Sequence, residues 1–261
     1  MSEPKLAYSE KLDEIEHQCE SLTRARGFFG KQDEFTIHRL THDIENQVTK
    51  LISSAPFFGY AAEMMLATAC NDKTRLDRAY SDSCSYEVNE SVDLNYAVGL
   101  RMTGHIMDAV KILEQMTFCS PPSLKALRNL IDAYQYLGMH EEYIGKLEPL
   151  IMRLNLTPLD ENSISSKEVL RFFSHKNVSI EKLTEFNLFL DSFFCRNQVG
   201  NLTVQSETVS DEYEEWISHL VVFDEKHDPI KVSELNDLFL EELMDQEHLD
   251  EISDLVVTRF I

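Results

Sequence analysis

The run Ala97-Val98-Gly99-Leu100-Arg101-Met102-Thr103-Gly104-His105-Ile106-Met107-Asp108-Ala109-Val110-Lys111-Ile112-Leu113 reads as two short helices joined at a glycine. Apolar residues recur at helical spacing on both sides of Gly104, and Pro121 closes the second stripe. The same spacings return 34 residues later as Ile131, Tyr134, Gly138, Tyr143, Leu147 and Asn155. A glycine at each midpoint suits a tight turn between antiparallel helices, because glycine enters the left-handed backbone region without a Cβ clash. Residues 93–155 are therefore expected to form two stacked helix pairs.

In this order of a small residue, a large one, a turn glycine, an alanine and a closing proline, residues 93–158 resemble tetratricopeptide repeats. The resemblance implies a helical array whose groove receives a peptide or helix. The second copy departs from the pattern, with Ile131 and Tyr143 where small residues normally let helices approach closely. No third copy continues in register, since Glu63 and Ser165 fall at the small packing position. Two units alone do not bury their own faces, so flanking helices are needed. The alternative is an ordinary helical bundle with an accidental period.

Upstream, Leu12, Ile15, Cys19 and Leu22 form one helical stripe, and Gly27-Phe28-Phe29-Gly30 ends it. Ile37, Leu40, Ile44, Val48 and Leu51 form a second, with Pro56 just beyond. Phe57 to Cys70 is apolar nearly all round, which predicts a buried helix at the centre of the N-terminal core. Residues 81–92 read as a loop. Downstream, helices are expected over 166–175 and from Ser179, as N-cap, to Phe194. The texture then changes. Leu202 to Val209 and Trp216 to Phe223 are rich in β-formers, Ser233 opens a helix after Asp228-Pro229, and Asp254 to Ile261 reads as a strand. The fold class is thus mainly α: a helical-repeat or bundle N-terminal region, then a small α+β module of order β-β-α-β, expected as an antiparallel sheet with one helix across it. The organisation reads as N-terminal helices over 1–92, a repeat-like region over 93–198 and an acidic α+β module over 199–261.

The formal charge of −22 over 261 residues is uneven. Residues 179–261 carry five Lys and Arg against twenty Asp and Glu, while residues 121–178 balance at seven of each. Direct nucleic-acid binding is disfavoured by that excess, and a basic or amphipathic-helical protein partner fits it better. No run approaches the ~20 apolar residues of a membrane span. The start, Met1-Ser2-Glu3-Pro4-Lys5, leads into an acidic amphipathic stretch with no apolar signal core, so a cytoplasmic setting is expected. The five cysteines include no CxxC pair, which leaves neither a disulfide framework nor a thiolate zinc site.

No phosphate loop, nucleophile elbow or Cys/His pair is present, so no catalytic residue, cofactor or metal is assigned. His38 and His42 stand one helical turn apart, but Arg39 occupies the place where a zinc-protease helix needs glutamate. Asp224-Glu225-Lys226-His227-Asp228 reads as a solvated acidic turn, and Trp216, beside Ile217 and Leu220, as core. The expected function is a non-enzymatic protein–protein adaptor or chaperone-like binder. Its candidate contacts are Asn95, Arg101, Arg128 and Gln135 on the first helix of each unit, with Asp211, Glu212, Glu214 and Glu215 on the acidic module. The rival reading is an inhibitor or immunity-type protein that presents carboxylates in place of phosphates to a basic partner.

Overall fold

The computed structural model describes residues 3–30, 32–86, 89–156, 160–199, 202–210, 214–223 and 227–261. The chain is mainly helical, with a small sheet near its C-terminus. It divides into two compact units, residues 1–130 with 194–200, and residues 131–193 with 201–261.

The first unit opens with α1 (Glu3–Arg26), α2 (Glu34–Ser54) and α3 (Pro56–Ala69). The stripes expected from the sequence meet here: Ile15, Cys19 and Leu22 pack with Ile44, Val48 and Leu51 and with Ala62, Leu66 and Ala69. The near-uniform apolarity of α3 has a direct cause. It packs against α1, α2, α4 (Lys73–Cys84) and α5 (Glu90–Met102), so no face of it is left to water. Arg75 on α4 ties the helices together, donating from Nε and Nη2 to the Glu63 carboxylate and from Nη1 to Glu45 at 2.9 Å. α4 and α5 occupy residues 81–84 and 90–92 of the segment read as a loop, and Asp72 caps the start of α4 by accepting from the Arg75 N–H at 2.9 Å. α6 (Ile106–Phe118) packs on α5, and α7 (Leu124–Leu137) begins where the Ser123 hydroxyl accepts from the Ala126 N–H.

Gly104 separates α5 from α6 at φ +76°, and Gly138 separates α7 from α8 (His140–Glu142) at φ +70°. Each turn closes with the same pair of hydrogen bonds. Gly104 N–H donates to Arg101 O and His105 N–H to Leu100 O; Gly138 N–H donates to Gln135 O and Met139 N–H to Tyr134 O. Turns of the same kind end helices at Asn71, Asn155, Asn177 and Gln198, the first of them between α3 and α4. Asn71 adopts φ +54°, its N–H donates to Thr68 O, and Asp72 N–H donates to Ala67 O. Asn71, Gly104 and Gly138 are 33 and 34 residues apart, whereas Asn155, Asn177 and Gln198 close with the same pair of hydrogen bonds at other spacings. The turn at Asn71 carries no glycine signal in the sequence, because asparagine, enriched in this backbone region, stands in its place.

In the second unit, the helix begun by α8 widens into a π-helical turn at Tyr143–Leu147 and continues as α9 (Glu148–Arg153). Pro149 has no N–H to return to Gly145, and the wider turn avoids the clash of its ring with that carbonyl. α10 (Asp160–Lys176) and α11 (Glu181–Arg196) follow, the latter with Ser179 accepting from the Glu181 N–H at 3.3 Å. β1 (Leu202–Ser210) and β2 (Glu215–Phe223) form an antiparallel pair, α12 (Pro229–Met244) and α13 (Asp250–Ser253) intervene, and β3 (Val256–Phe260) pairs with β2. The order is β1-β2-β3, and the β2–β3 pair is parallel, not antiparallel as the sequence reading had it. A helix between two strands carries the chain back to the end where the first strand began, and parallel pairing follows. Ile217, His219, Val221 and Phe223 alternate on the buried face of β2. Phe239 of α12 lies in the aromatic cluster of this unit, with ring centroids 5.3 Å from Phe193 and 5.4 Å from Phe260.

Candidate functional site

The first candidate surface is on α5. Ser91, Asn95, Val98 and Met102 fall at i, i+4, i+7 and i+11, one stripe of the helix, and all four are exposed. Val98 is 43% and Met102 50% exposed, although their neighbours Ala97, Leu100 and Val92 are buried. Arg101 is exposed beside this stripe. At the start of α7, in the same unit, Leu124 is 50% exposed and Arg128 is exposed one turn later. The expected contact residues Asn95, Arg101 and Arg128 therefore stand in solvent and flank apolar side chains.

Gln135 has a different setting, in the second unit. It is half-buried, and its amide donates to Ser166 Oγ at 3.0 Å. The same hydroxyl lies 3.0 Å from His140 Nδ1. Burial holds the His140 imidazole down to about 4. His219, wholly buried on β2 with its ring 5.8 Å from that of Phe186, is likewise held down to about 4, by burial first and then by His140. Neither His219 ring nitrogen has a hydrogen-bond partner among the described residues. Ser166 and His140 form a hydroxyl–imidazole pair, and both are buried.

No family model, curated protein or solved structure matches the chain. Its own geometry carries the functional reading.

The second candidate surface is a cleft of about 820 Å³ at the carboxyl ends of β2 and β3. Phe223, Phe260, Val232 and Pro229 make its walls mainly apolar, and His227, Ser233, Asn236, Thr258 and Arg259 supply polar groups. Open α/β arrangements place binding crevices at this end of parallel strands. Asp228 caps α12 next to it, accepting from the Ile230 N–H at 3.0 Å, so the acidic turn read from the sequence ends in a capping carboxylate. That negative charge at the helix N-terminus works against an anionic ligand there. A cleft of this volume, apolar in the main, suits bulky hydrophobic side chains, with the polar residues at its walls left to orient them.

Glu215 is half-buried at the start of β2 and Glu214 is exposed before it, while Asp211, Glu212 and Asp224 to Lys226 lie outside the described residues. Trp216 is half-buried. His38 and His42 are both exposed on α2, and among the described residues no group of three or more His, Cys, Asp or Glu is placed to hold a metal ion. None of the described helices is long and apolar enough to cross a membrane.

Proposed function

We propose that this chain is a cytoplasmic, tetratricopeptide-like adaptor that binds a segment of another protein along the first helices of its hairpins, with an acidic C-terminal surface as a second contact. The observation that carries the reading is the exposed apolar pair Val98 and Met102 on α5, with Asn95 on the same stripe and Arg101 beside it. An amphipathic segment laid along that stripe buries its apolar side chains on the pair, and Asn95 and Arg101 orient it through hydrogen bonds. The spacing of 33 and 34 residues between Asn71, Gly104 and Gly138, with α3 packed on α4 and α5 on α6, supports a repeat array as the scaffold. Gln135, engaged with Ser166, holds the second unit's interior and takes less part in the contact than Asn95, Arg101 or Arg128.

Affinity capture from the native cell tests this reading. The full chain should retain its partner in 0.5 M salt, because burial of apolar surface is insensitive to screening (Debye length about 4–5 Å there). The double variant Val98→Ser with Met102→Ser should lose it. A partner lost at high salt, and indifferent to the double variant, would instead favour the carboxylate-presenting inhibitor.

A further inference from the structure

The outer face of α12 continues the C-terminal cleft. Pro229, Ser233, Asn236, Leu240 and Met244 fall at i, i+4, i+7, i+11 and i+15, so they form one stripe along the helix. Its first three members line the cleft, and its last two are large apolar side chains left 45% and 74% exposed. Beside the stripe run Glu234, Asp237, Glu241 and Asp245, all exposed and none in an ion pair among the described residues. Leu235 and Phe239, on the opposite side, are buried, so this outer face is the one α12 leaves unpartnered.

We infer that this face is a docking groove for a basic amphipathic helix of another protein. It rests on the adaptor reading for its setting and assigns that adaptor's acidic contact to α12. Three features select the occupant. The apolar stripe and the acidic stripe are parallel and adjacent, which matches a helix carrying apolar residues on one side and Lys or Arg along its flank. Met244 supplies an adaptable apolar surface of the kind that accepts helices of varied sequence. The cleft at the stripe's N-terminal end has room for bulky apolar anchors, and side chains seated in a pocket are where interface energy concentrates. Arg259 lines the cleft and repels a cation there, so the anchors are apolar and the basic residues lie over the α12 acids. Acidity alone would attract any polycation; the adjoining apolar stripe and cleft give the site a preference for helical order.

The probe is a fluorescent 18-residue peptide of Leu, Trp and Lys arranged as an amphipathic helix, with a scrambled peptide of identical composition as control. Anisotropy is measured on the full chain at 150 mM salt. The amphipathic peptide should bind at least tenfold more tightly than the scrambled one. Leu240→Ser with Met244→Ser should weaken it tenfold or more, and Glu234→Gln with Glu241→Gln should lower its salt dependence. Val98→Ser with Met102→Ser should leave it unchanged, which separates this groove from the α5 stripe. Equal binding of both peptides, indifference to the α12 variants, or loss through the α5 variant would each overturn the assignment. Circular dichroism confirms that the variants, all at exposed positions, retain the helical fold.

Discussion

Tyr80 of α4 and Tyr96 of α5 stack with ring centroids 3.9 Å apart and planes 8° from parallel, and each hydroxyl donates at 2.8 Å to a carboxylate on the other's helix, Tyr80 to Asp93 and Tyr96 to Asp77. The pair fixes the register of two consecutive hairpins. Burial first and then the carboxylate partner raise both phenols. Burial of Asp77 acts to raise its carboxyl, but hydrogen bonds from Lys73 and Tyr96 outweigh it and the net shift is downward.

Tyr80→Phe and Tyr96→Phe should each therefore destabilise the chain by about 1 kcal/mol, the net worth of one such hydrogen bond. Tyr80→Ala should cost more, because the stack is lost as well. Urea unfolding measures both, and a phenylalanine variant as stable as the parent would show that the hydroxyl bonds contribute nothing.

The hairpin turns predict a graded series. Gly104→Ala and Gly138→Ala should each destabilise by about 1 kcal/mol or more, the cost of a Cβ at positive φ. Gly138→Ala should be the worse, since its Cβ would stand 2.8 Å from the Leu183 side chain, whereas at Gly104 the nearest atom is Cys195 Cβ at 3.0 Å. Asn71→Gly, which relieves the same strain, should be neutral or stabilising. Ala109→Glu places a charge at a residue 2% exposed and should unfold the first unit under mild denaturant.

Much of this was legible in the sequence, and the gaps have physical causes. Periodicity located α1, α2 and α3 because their apolar stripes face one core, and it placed Gly104 and Gly138 because glycine marks a left-handed turn. It missed Asn71, whose role is visible only in its backbone angle. Charge pattern along 179–261 showed that an acidic surface exists, but not that Glu234, Asp237 and Glu241 align beside Leu240 and Met244. The cleft was not legible at all, because Phe223, Val232 and Phe260 come together only through the parallel pairing of β2 with β3. His219 reads in sequence as a polar residue inside a β-run, and only the alternation on β2 places it inward.

That histidine gives a pH prediction. His140 and His219 have folded-state values of about 4, below the ordinary 6.5, so the unfolded chain binds more protons between these limits. Their contribution is whole above about pH 6.5 and is lost as pH falls towards 4. Thermal unfolding at pH 7.5 and pH 5 should show a smaller drop for His219→Phe than for the parent. The variant should also be at least as stable at pH 7.5, because two unpartnered ring nitrogens are removed. Parallel pH profiles would show that His219 does not govern the acid response.

Site-specific photo-crosslinking in the native cell tests the adaptor reading most directly. A benzophenone side chain is placed in turn at Asn95, Val98 and Met102 on the exposed stripe of α5, and at Lys50 on α2 as an exposed control. One partner protein should be crosslinked from all three α5 positions and not from position 50, through a single contiguous peptide of that partner. Crosslinks from position 50 alone, or none from any α5 position while the chain is folded and expressed, would contradict it.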